Sequence, residues 1–348
     1  MAPARSSDTP AAGINRAVTS NDVARLAGVS QSAVSRAFTP GTAVSERMRV
    51  KVFDAARMLG YRPNAIARSL ITKRSRMIGV VVSYLENQFY PLVIEGLSKR
   101  LREHGYHVLL FCTDSQDADE LLPEILPYQI DGLVMASTRL SSAVARRCAE
   151  AGIPVVLFNR TVAGGPSSTV AADNAGGGRS VADLLCRAGH TRIAFMAGLE
   201  DTSTSREREQ GFLQGLAAHR QRCFARAVGD YRFDTAEQAT LSLFGSDARP
   251  DAVFVANDHM AIAAMDTLRL LMGLRVPHDV SVVGFDDVPQ AAWRSYRLTT
   301  VRQPARQMID ATVALVLAQA AGGQTQAVAQ VLPTELVLRD SARLPPSP

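Results

Sequence analysis

The chain has 348 residues, 47% of them hydrophobic and 20% charged. That length is too great for one small domain, and the composition excludes a wholly disordered or fibrous protein. Its net charge of +5 is uneven: residues 1–76 hold thirteen Lys and Arg against four Asp and Glu, while the remainder holds 25 against 29, so only the N-terminal fifth is suited to a polyanion.

Residues 1–18, rich in Ala, Pro and Ser, are expected to be a disordered tail. A helix start follows at Thr19, with Asp22 three residues on as a capping-box partner. Val23, Leu26 and Ala27 share one face of that helix, and Ala24 is small enough to admit a second helix. Gly28 supplies a permissive turn, Val29 an apolar plug, and Ser30 a cap for a helix over 31–38 with Val34 inside. This order is the helix-turn-helix pattern, whose second helix lies in the major groove of DNA. An ordinary helical hairpin would share parts of it. A third helix, over 45–59, carries Val52, Ala55, Ala56 and Leu59 along one stripe, and Gly60 ends it. Residues 64–74 form a further helix-capable stretch.

Asp22-Val23-Ala24, Ala27-Gly28-Val29-Ser30, Val34-Ser35-Arg36, Gly60-Tyr61-Arg62-Pro63-Asn64 and Ala67-Arg68-Ser69-Leu70 together resemble the headpiece (19–63) and hinge helix (64–74) of the lactose/galactose-repressor family. The resemblance implies a homodimer on near-palindromic double-stranded operator DNA. It also makes Leu70 a wedge in the minor groove, with Ala67 on the same face; packing of Leu70 on the rest of the protein is the alternative. Gln31, Ser32 and Arg36 stand where base edges would be met, and Ser30, Ser35 and Asn64 where phosphates would be. Arg68 reads equally well as solvated charge.

From Met77 onward, apolar strands alternate with amphipathic helices. Strands are expected over 78–82, 107–112, 133–136, 155–158, 192–197, 252–255 and 280–285. Helices are expected over 92–104, 176–187, 208–219, 259–271 and 304–321. Such alternation predicts parallel, doubly wound α/β sheets, and two sets predict two lobes. The stretch also resembles the periplasmic-binding-protein-like core of the same family. By that resemblance the core spans 75–340, with an N-lobe of 77–174 and 303–322, a C-lobe of 175–302 and 323–340, and a tail at 341–348.

Ligands of doubly wound sheets bind beyond the carboxyl ends of the strands. Tyr84, Phe89, Ser137, Asn159 and Arg160 from one lobe, Arg208, Tyr231, Asn257 and Asp286 from the other, and Gln303 at a crossover occupy such positions. The resemblance implies that Arg208, Asn257 and Asp286 hold a small-molecule effector and that Tyr231 stacks on it. An arginine, a carboxylate and an amide beside an aromatic face suit a sugar or sugar acid. A purine or another small metabolite stays open, as does interlobe salt bridging without a ligand.

Other functions fit less well. Gly176-Gly177-Gly178 precedes no GK[ST] and is expected to be flexible helix entry rather than a phosphate loop; the six histidines form no HExxH pattern. Cys112, Cys148, Cys186 and Cys223 are widely spaced without a CxxC pair, so no metal, cofactor or disulfide framework is expected, and no catalysis. A transport-associated binding protein would share the core but needs an export signal, and none is evident. With no apolar run of membrane-spanning length, a cytoplasmic, nucleoid-associated repressor without leucine heptads for tetramer formation is expected.

Overall fold

The computed structural model describes residues 18–39, 41–62, 74–113, 121–136, 142–161, 167–323 and 326–346. The chain forms two compact units, Met1–Lys73 and Arg74–Pro348. Residues 1–17 of the expected tail at 1–18, the hinge positions Asn64, Ala67 and Leu70, and Ser137 lie outside the described residues.

The first unit contains α1 (Ser20–Ala27), α2 (Gln31–Ala37) and α3 (Glu46–Leu59). Each start is fixed by a side chain that satisfies otherwise orphaned helix-end groups. The Thr19 backbone N–H and hydroxyl donate to the Asp22 carboxylate at 3.0 and 2.7 Å. Ser30 Oγ accepts from Ala33 N–H at 3.2 Å, and Ser45 Oγ from Met48 N–H at 3.4 Å. Between α1 and α2, Gly28 adopts φ 65°, a left-handed conformation that costs a glycine little. Val23, Ala24, Val34, Ala37, Val52, Ala55 and Ala56 form the core, with Val29, Phe38, Leu59 and Tyr61 packed at its edge. Leu26 departs from the expected pattern and is 49% exposed. The buried stripe of α1 runs through Val23, Ala24 and Ala27, and at 3.6 residues per turn Leu26 points roughly 100° away from its centre.

The second unit begins with β1 (Met77–Val82), α4 (Phe89–Glu103), β2 (His107–Cys112), α5 (Leu122–Ile125), β3 (Gly132–Ala136), α6 (Ser142–Glu150), β4 (Val155–Phe158) and β5 (Ser168–Ala172). It continues with α7 (Asn174–Arg187), β6 (Ile193–Ala197), α8 (Ser203–Ala218), β7 (Ala225–Val228), α9 (Phe233–Phe244), β8 (Ala252–Val255), α10 (Asp258–Asp266) and β9 (Ser281–Asp286). The last elements are β10 (Thr299–Arg302), α11 (Ala305–Ala320), β11 (Ala329–Leu332) and β12 (Glu335–Val337). Among the described residues two six-stranded sheets result, ordered β11-β5-β4-β3-β1-β2 and β12-β10-β9-β8-β6-β7. Both follow the doubly wound pattern, whose strand order reverses between the first and third strands and opens a crevice there. Among the described residues all pairings are parallel except β10 with β12.

β5, β7, β10, β11, β12, α6 and α9 were among the elements not anticipated; Ser168–Ala172 and Ala225–Val228, for example, are short and carry one valine and two alanines each rather than a branched apolar run. Residues 323–340 do not all belong with the second lobe. β11 pairs in parallel with β5, from Ala329 with Thr169 to Leu332 with Ala172, so the chain changes sheets only at Pro333-Thr334. Nor is 341–348 wholly a tail. Ser341 is fully buried, its hydroxyl donating to Val282 O at 2.6 Å and accepting from Thr299 N–H at 2.8 Å.

The glycine triplet likewise has another explanation. Gly177 and Gly178 are buried inside α7, and a Cβ on Gly178 would lie 2.3 Å from the Arg208 carbonyl oxygen. On the facing helix, a Cβ on Gly211 would lie 2.0 Å from the Ala175 carbonyl. These positions permit backbone-to-backbone packing of α7 on α8, and that contact fixes where Arg208 stands.

Candidate functional site

In the first unit, α2 presents Gln31, Ser32, Ser35 and Arg36 on its exposed side while Ala33, Val34 and Ala37 face inward. Ser30 spends its hydroxyl on the cap and lies 2.9 Å from Ser32 Oγ. Gln31 Nε2 donates to Ser20 Oγ at 3.3 Å, linking the start of α2 to α1. A short helix with an exposed polar N-terminal turn and a long guanidinium one turn later has the form of a groove-reading helix.

In the second unit, the described candidate effector residues other than Phe89 converge near the carboxyl ends of the strands of the two sheets. Arg208, in the second turn of α8, is 2% exposed. Its Nε donates to Asn174 Oδ1 at 2.9 Å and its Nη1 to the Ala256 carbonyl at 2.6 Å; Nη1 also stands 3.4 Å from Asp286 Oδ1. The guanidinium carbon lies 3.7 Å from the centre of the Phe285 ring, a buried cation–π contact. Asp286 ends β9, is 5% exposed and accepts from Gln303 Nε2 at 2.7 Å. Burial raises its carboxyl pKa to about 6 against the opposing pull of Arg208. Behind it, Asp258 is fully buried, accepts from Thr300 Oγ1 at 2.5 Å and from Val288 N–H at 2.9 Å, and is pushed up to about 7 by burial and by Asp286.

Asn257 follows β8 and caps α10, its Oδ1 accepting from Met260 N–H at 3.0 Å; Nδ2 is buried with no partner among the described residues. Tyr231, 4% exposed, meets Thr204 Oγ1 at 3.2 Å, and Thr204 accepts from Arg160 Nη1 at 2.6 Å. The first lobe's Arg160 thus reaches the second lobe's α8. Tyr84 packs edge-on against Tyr90 with centroids 5.7 Å apart. Burial first, then Tyr90 and Tyr231, holds the Tyr84 hydroxyl well above its ordinary pKa.

Phe89 stands apart from this polar group. It opens α4, is 2% exposed and packs against Tyr90 and Phe158, so its location is the core under the cleft rather than a loop beyond β1. It nonetheless lines a cavity of about 330 Å³ together with Asp286 and Gln303. Non-glycine residues with positive φ mark the strand ends: Asn159 at 57°, Tyr231 at 60° and Asp286 at 128°. Such strain persists where surrounding packing overdetermines it, typically at functional sites.

Sequence reasoning missed Tyr90, Asn174, Thr204, Glu207 and His259. Asn174 Nδ2 donates to Glu207 Oε2 at 2.9 Å, and the first lobe's Thr161 Oγ1 donates to Glu207 Oε1 at 2.6 Å. His259 Nδ1 meets Gln88 Oε1 across the lobes at 3.3 Å. Asn174 directly follows β5 through Asp173, so recognition of that strand would have exposed it. Among the described residues no group of three His, Cys, Asp or Glu could hold a metal ion, and no helix is long and apolar enough to cross a membrane.

A helix-turn-helix unit joined to a two-lobed core with a buried polar cleft defines an effector-controlled DNA-binding transcriptional regulator. Residues 19–64 match the model of bacterial regulatory proteins of the lacI family, and residues 182–342 that of a periplasmic-binding-protein-like domain. The HTH-type transcriptional regulator CelR of Thermobifida fusca is 35% identical over 330 residues, 92% of this chain and 96% of that protein. The ribose operon repressor of Escherichia coli is 31% identical over 306 residues, covering 86% and 92%. Among solved structures, a lac repressor dimer bound to operator and an anti-inducer aligns with a TM-score of 0.84 at 29% identity, covering 94% of this chain and 99% of that one. The chain belongs to the LacI family, whose members are transcriptional regulators rather than enzymes.

Proposed function

We propose that the chain acts in the cytoplasm as a homodimeric repressor on near-palindromic operator DNA, and that a sugar or sugar acid held between its lobes controls operator affinity. The observation that carries the effector reading is the buried, mutually bonded set of Arg208, Asp286 and Gln303 beside the unmet Asn257 Nδ2 and Gln303 Oε1, since a globular interior seldom leaves buried polar atoms without a partner. In this reading Arg208, Asp286, Asn257 and Gln303 bind hydroxyl groups, Tyr231 and Tyr84 cover the ring, and Arg160, Phe89 and Ser137 complete the first-lobe side. Ser30, Gln31, Ser32, Ser35 and Arg36 contact the major groove or its phosphates; Asn64, Ala67 and Leu70 act at the hinge.

Relatives support this reading. A CelR–cellobiose complex aligns over 93% of this chain, and the lac repressor structure holds operator as a dimer. Ligand-dependent change in lobe closure would alter the spacing of the paired headpieces, and a coupling of about 1–3 kcal/mol makes a useful switch. The test pairs operator gel shifts with sugar titration of the full chain. Arg36→Ala should abolish operator retention while sugar binding persists, and Asp286→Ala should retain operator binding but lose release by sugar. Undiminished operator affinity in the first variant, or normal response in the second, would overturn the corresponding assignment.

A further inference from the structure

At the amino ends of the second lobe's strands, away from the cleft, a buried imidazole faces two partners that it cannot serve together. His190, just ahead of β6, is fully buried. Its Nδ1 lies 3.1 Å from Oδ1 of Asp251, ahead of β8, and 2.8 Å from Nη2 of Arg343, in the segment after β12. A carboxylate only accepts and a guanidinium only donates, so Nδ1 needs a hydrogen to bond the first and a bare lone pair to bond the second. Asp251 does not depend on the ring, since its oxygens accept from the backbone N–H groups of Thr191 and Arg192 at 3.3 and 3.2 Å. Neutral His190 can therefore give its Nδ1 lone pair to Arg343, a bond strengthened by the donor's charge. Protonated His190 carries hydrogen on both nitrogens; of the two partners it can bond only Asp251, and it repels Arg343. Nε2 keeps its hydrogen in both states, so the change falls on Nδ1 alone.

Arg343 anchors a strap. Along residues 339–343, Val282 N–H donates to Ser341 O at 2.8 Å, Arg343 N–H to Ser281 Oγ at 2.9 Å and Asp340 N–H to Arg297 O at 2.9 Å. Ser341 and Ala342 are buried beneath it. The strap thus clasps the feet of β9, which ends in Asp286, and of β10, which leads into Gln303. The neighbouring charges have other partners: Arg187 with Asp183 on α7, Arg275 with Asp279 ahead of β9, Arg297 with Asp340 on the strap, and Arg192 Nε with the Arg249 carbonyl. Ahead of β7, Gln221 gives its Nε2 hydrogen to the His190 carbonyl, and Arg220 and Arg222 beside it are exposed. Burial first, then Arg343, holds the imidazole below its ordinary pKa against the pull of Asp251, so the ring is neutral and the strap latched at neutral pH.

We propose that His190 is a proton-operated latch on the strap at 339–343: neutral, it holds Arg343; on taking one proton at Nδ1, it turns to Asp251 and lets the strap go. Backbone amide exchange of the full chain, read by mass spectrometry over 339–343 and corrected for the intrinsic effect of pH, tests it. Protection there should fall about 10-fold from about pH 7.5 to about pH 5, as expected of a release linked to one proton, while β1 keeps its protection. His190→Asn, which offers an accepting carbonyl near the Nδ1 position and cannot ionise, should hold the strap at both pH values. Arg343→Gln should also abolish the fall, because a neutral amide can donate to the neutral ring and turn its oxygen to the protonated one. Arg343 is an exposed residue, so this variant keeps the fold and decides alone should His190→Asn not fold. Strap protection that does not change with pH in the unaltered chain, a fall shared equally by β1, or a fall that persists in Arg343→Gln overturns the latch.

Discussion

The headpiece and the second lobe of the core are held together in different ways. In the headpiece the fully buried residues are alanines and valines, and each helix begins on a side-chain cap. The second lobe stacks Phe195, Phe212 and Phe254, all fully buried, with centroids 5.2 to 5.6 Å apart, and adds Phe285 under Arg208. A unit of this small size cannot bury enough apolar surface to be indifferent to its helix ends, so caps and turns supply a large share of its margin. A lobe with a thick aromatic core can instead carry strained backbone and unmet polar atoms at its mouth. The DNA-reading part is therefore marginal, and the sensing part has stability to spare for an imperfectly satisfied site.

The largest expected loss is in the lobe. Phe285→Ala should cost about 3–5 kcal/mol through the cavity it leaves and should also remove the surface on which Arg208 lies. In calorimetry of the full chain, the core transition should fall while the lobe remains folded at 25 °C, and effector binding should disappear. A loss below about 1 kcal/mol would mean that the lobe's aromatic core does not provide this margin. Val34→Ala in the headpiece should cost less, about 2 kcal/mol, yet have the greater consequence. Against the roughly 3–5 kcal/mol that a core of this size supplies, it should move the headpiece transition towards working temperature and weaken operator binding without touching the core transition. Equal displacement of both transitions would erase the contrast between the units.

Much of the headpiece was legible because its determinants are local. Thr19, Asp22, Gly28, Ser30, Ser45 and Gly60 each act within three or four residues of their partners, so spacing alone exposes them. In the core, the branched apolar runs of β1, β3, β8 and β9 were equally plain, and the strand-end rule brought out Arg208, Asn257, Asp286 and Gln303. The hidden features depend on pairing across long sequence distances. Ala329–Leu332 looks like any short strand, and only its register with β5 assigns it to the first lobe. Asn174, Glu207 and His259 acquire a role through partners 33, 46 and 171 residues away. The glycines of α7 resemble a flexible loop until the backbone of α8 is placed against them.

The two buried carboxyls of the cleft give a smaller effect with a definite sign. Asp258 and Asp286 have folded pKa values raised to about 7 and about 6, above the ordinary carboxyl value. Between about pH 4 and pH 7 the folded core therefore binds more protons than the unfolded chain. The stability this contributes is complete below that window and is lost as pH rises through the folded values, with a slope of at most about 1.4 kcal/mol per pH unit for each group. Asp258→Asn, which keeps the shape but cannot ionise, should flatten the fall in core melting temperature between pH 5 and pH 7. An unchanged slope would transfer the effect to other groups.

The smallest effect belongs to a single cap. Ser30→Ala removes the acceptor for the Ala33 N–H at the start of α2, a change worth about 1 kcal/mol. It deletes no buried apolar group, so a headpiece governed by core volume should hardly notice it, whereas one dependent on its helix ends should show a lower headpiece transition. Ser30→Asp should restore that transition, since a carboxylate caps as well as a hydroxyl and suits the positive end of the helix. It should not restore operator binding, because the same charge would face DNA phosphates. Recovery of stability without recovery of binding would separate the cap from the contact at one residue; recovery of both would leave Ser30 with a structural role alone.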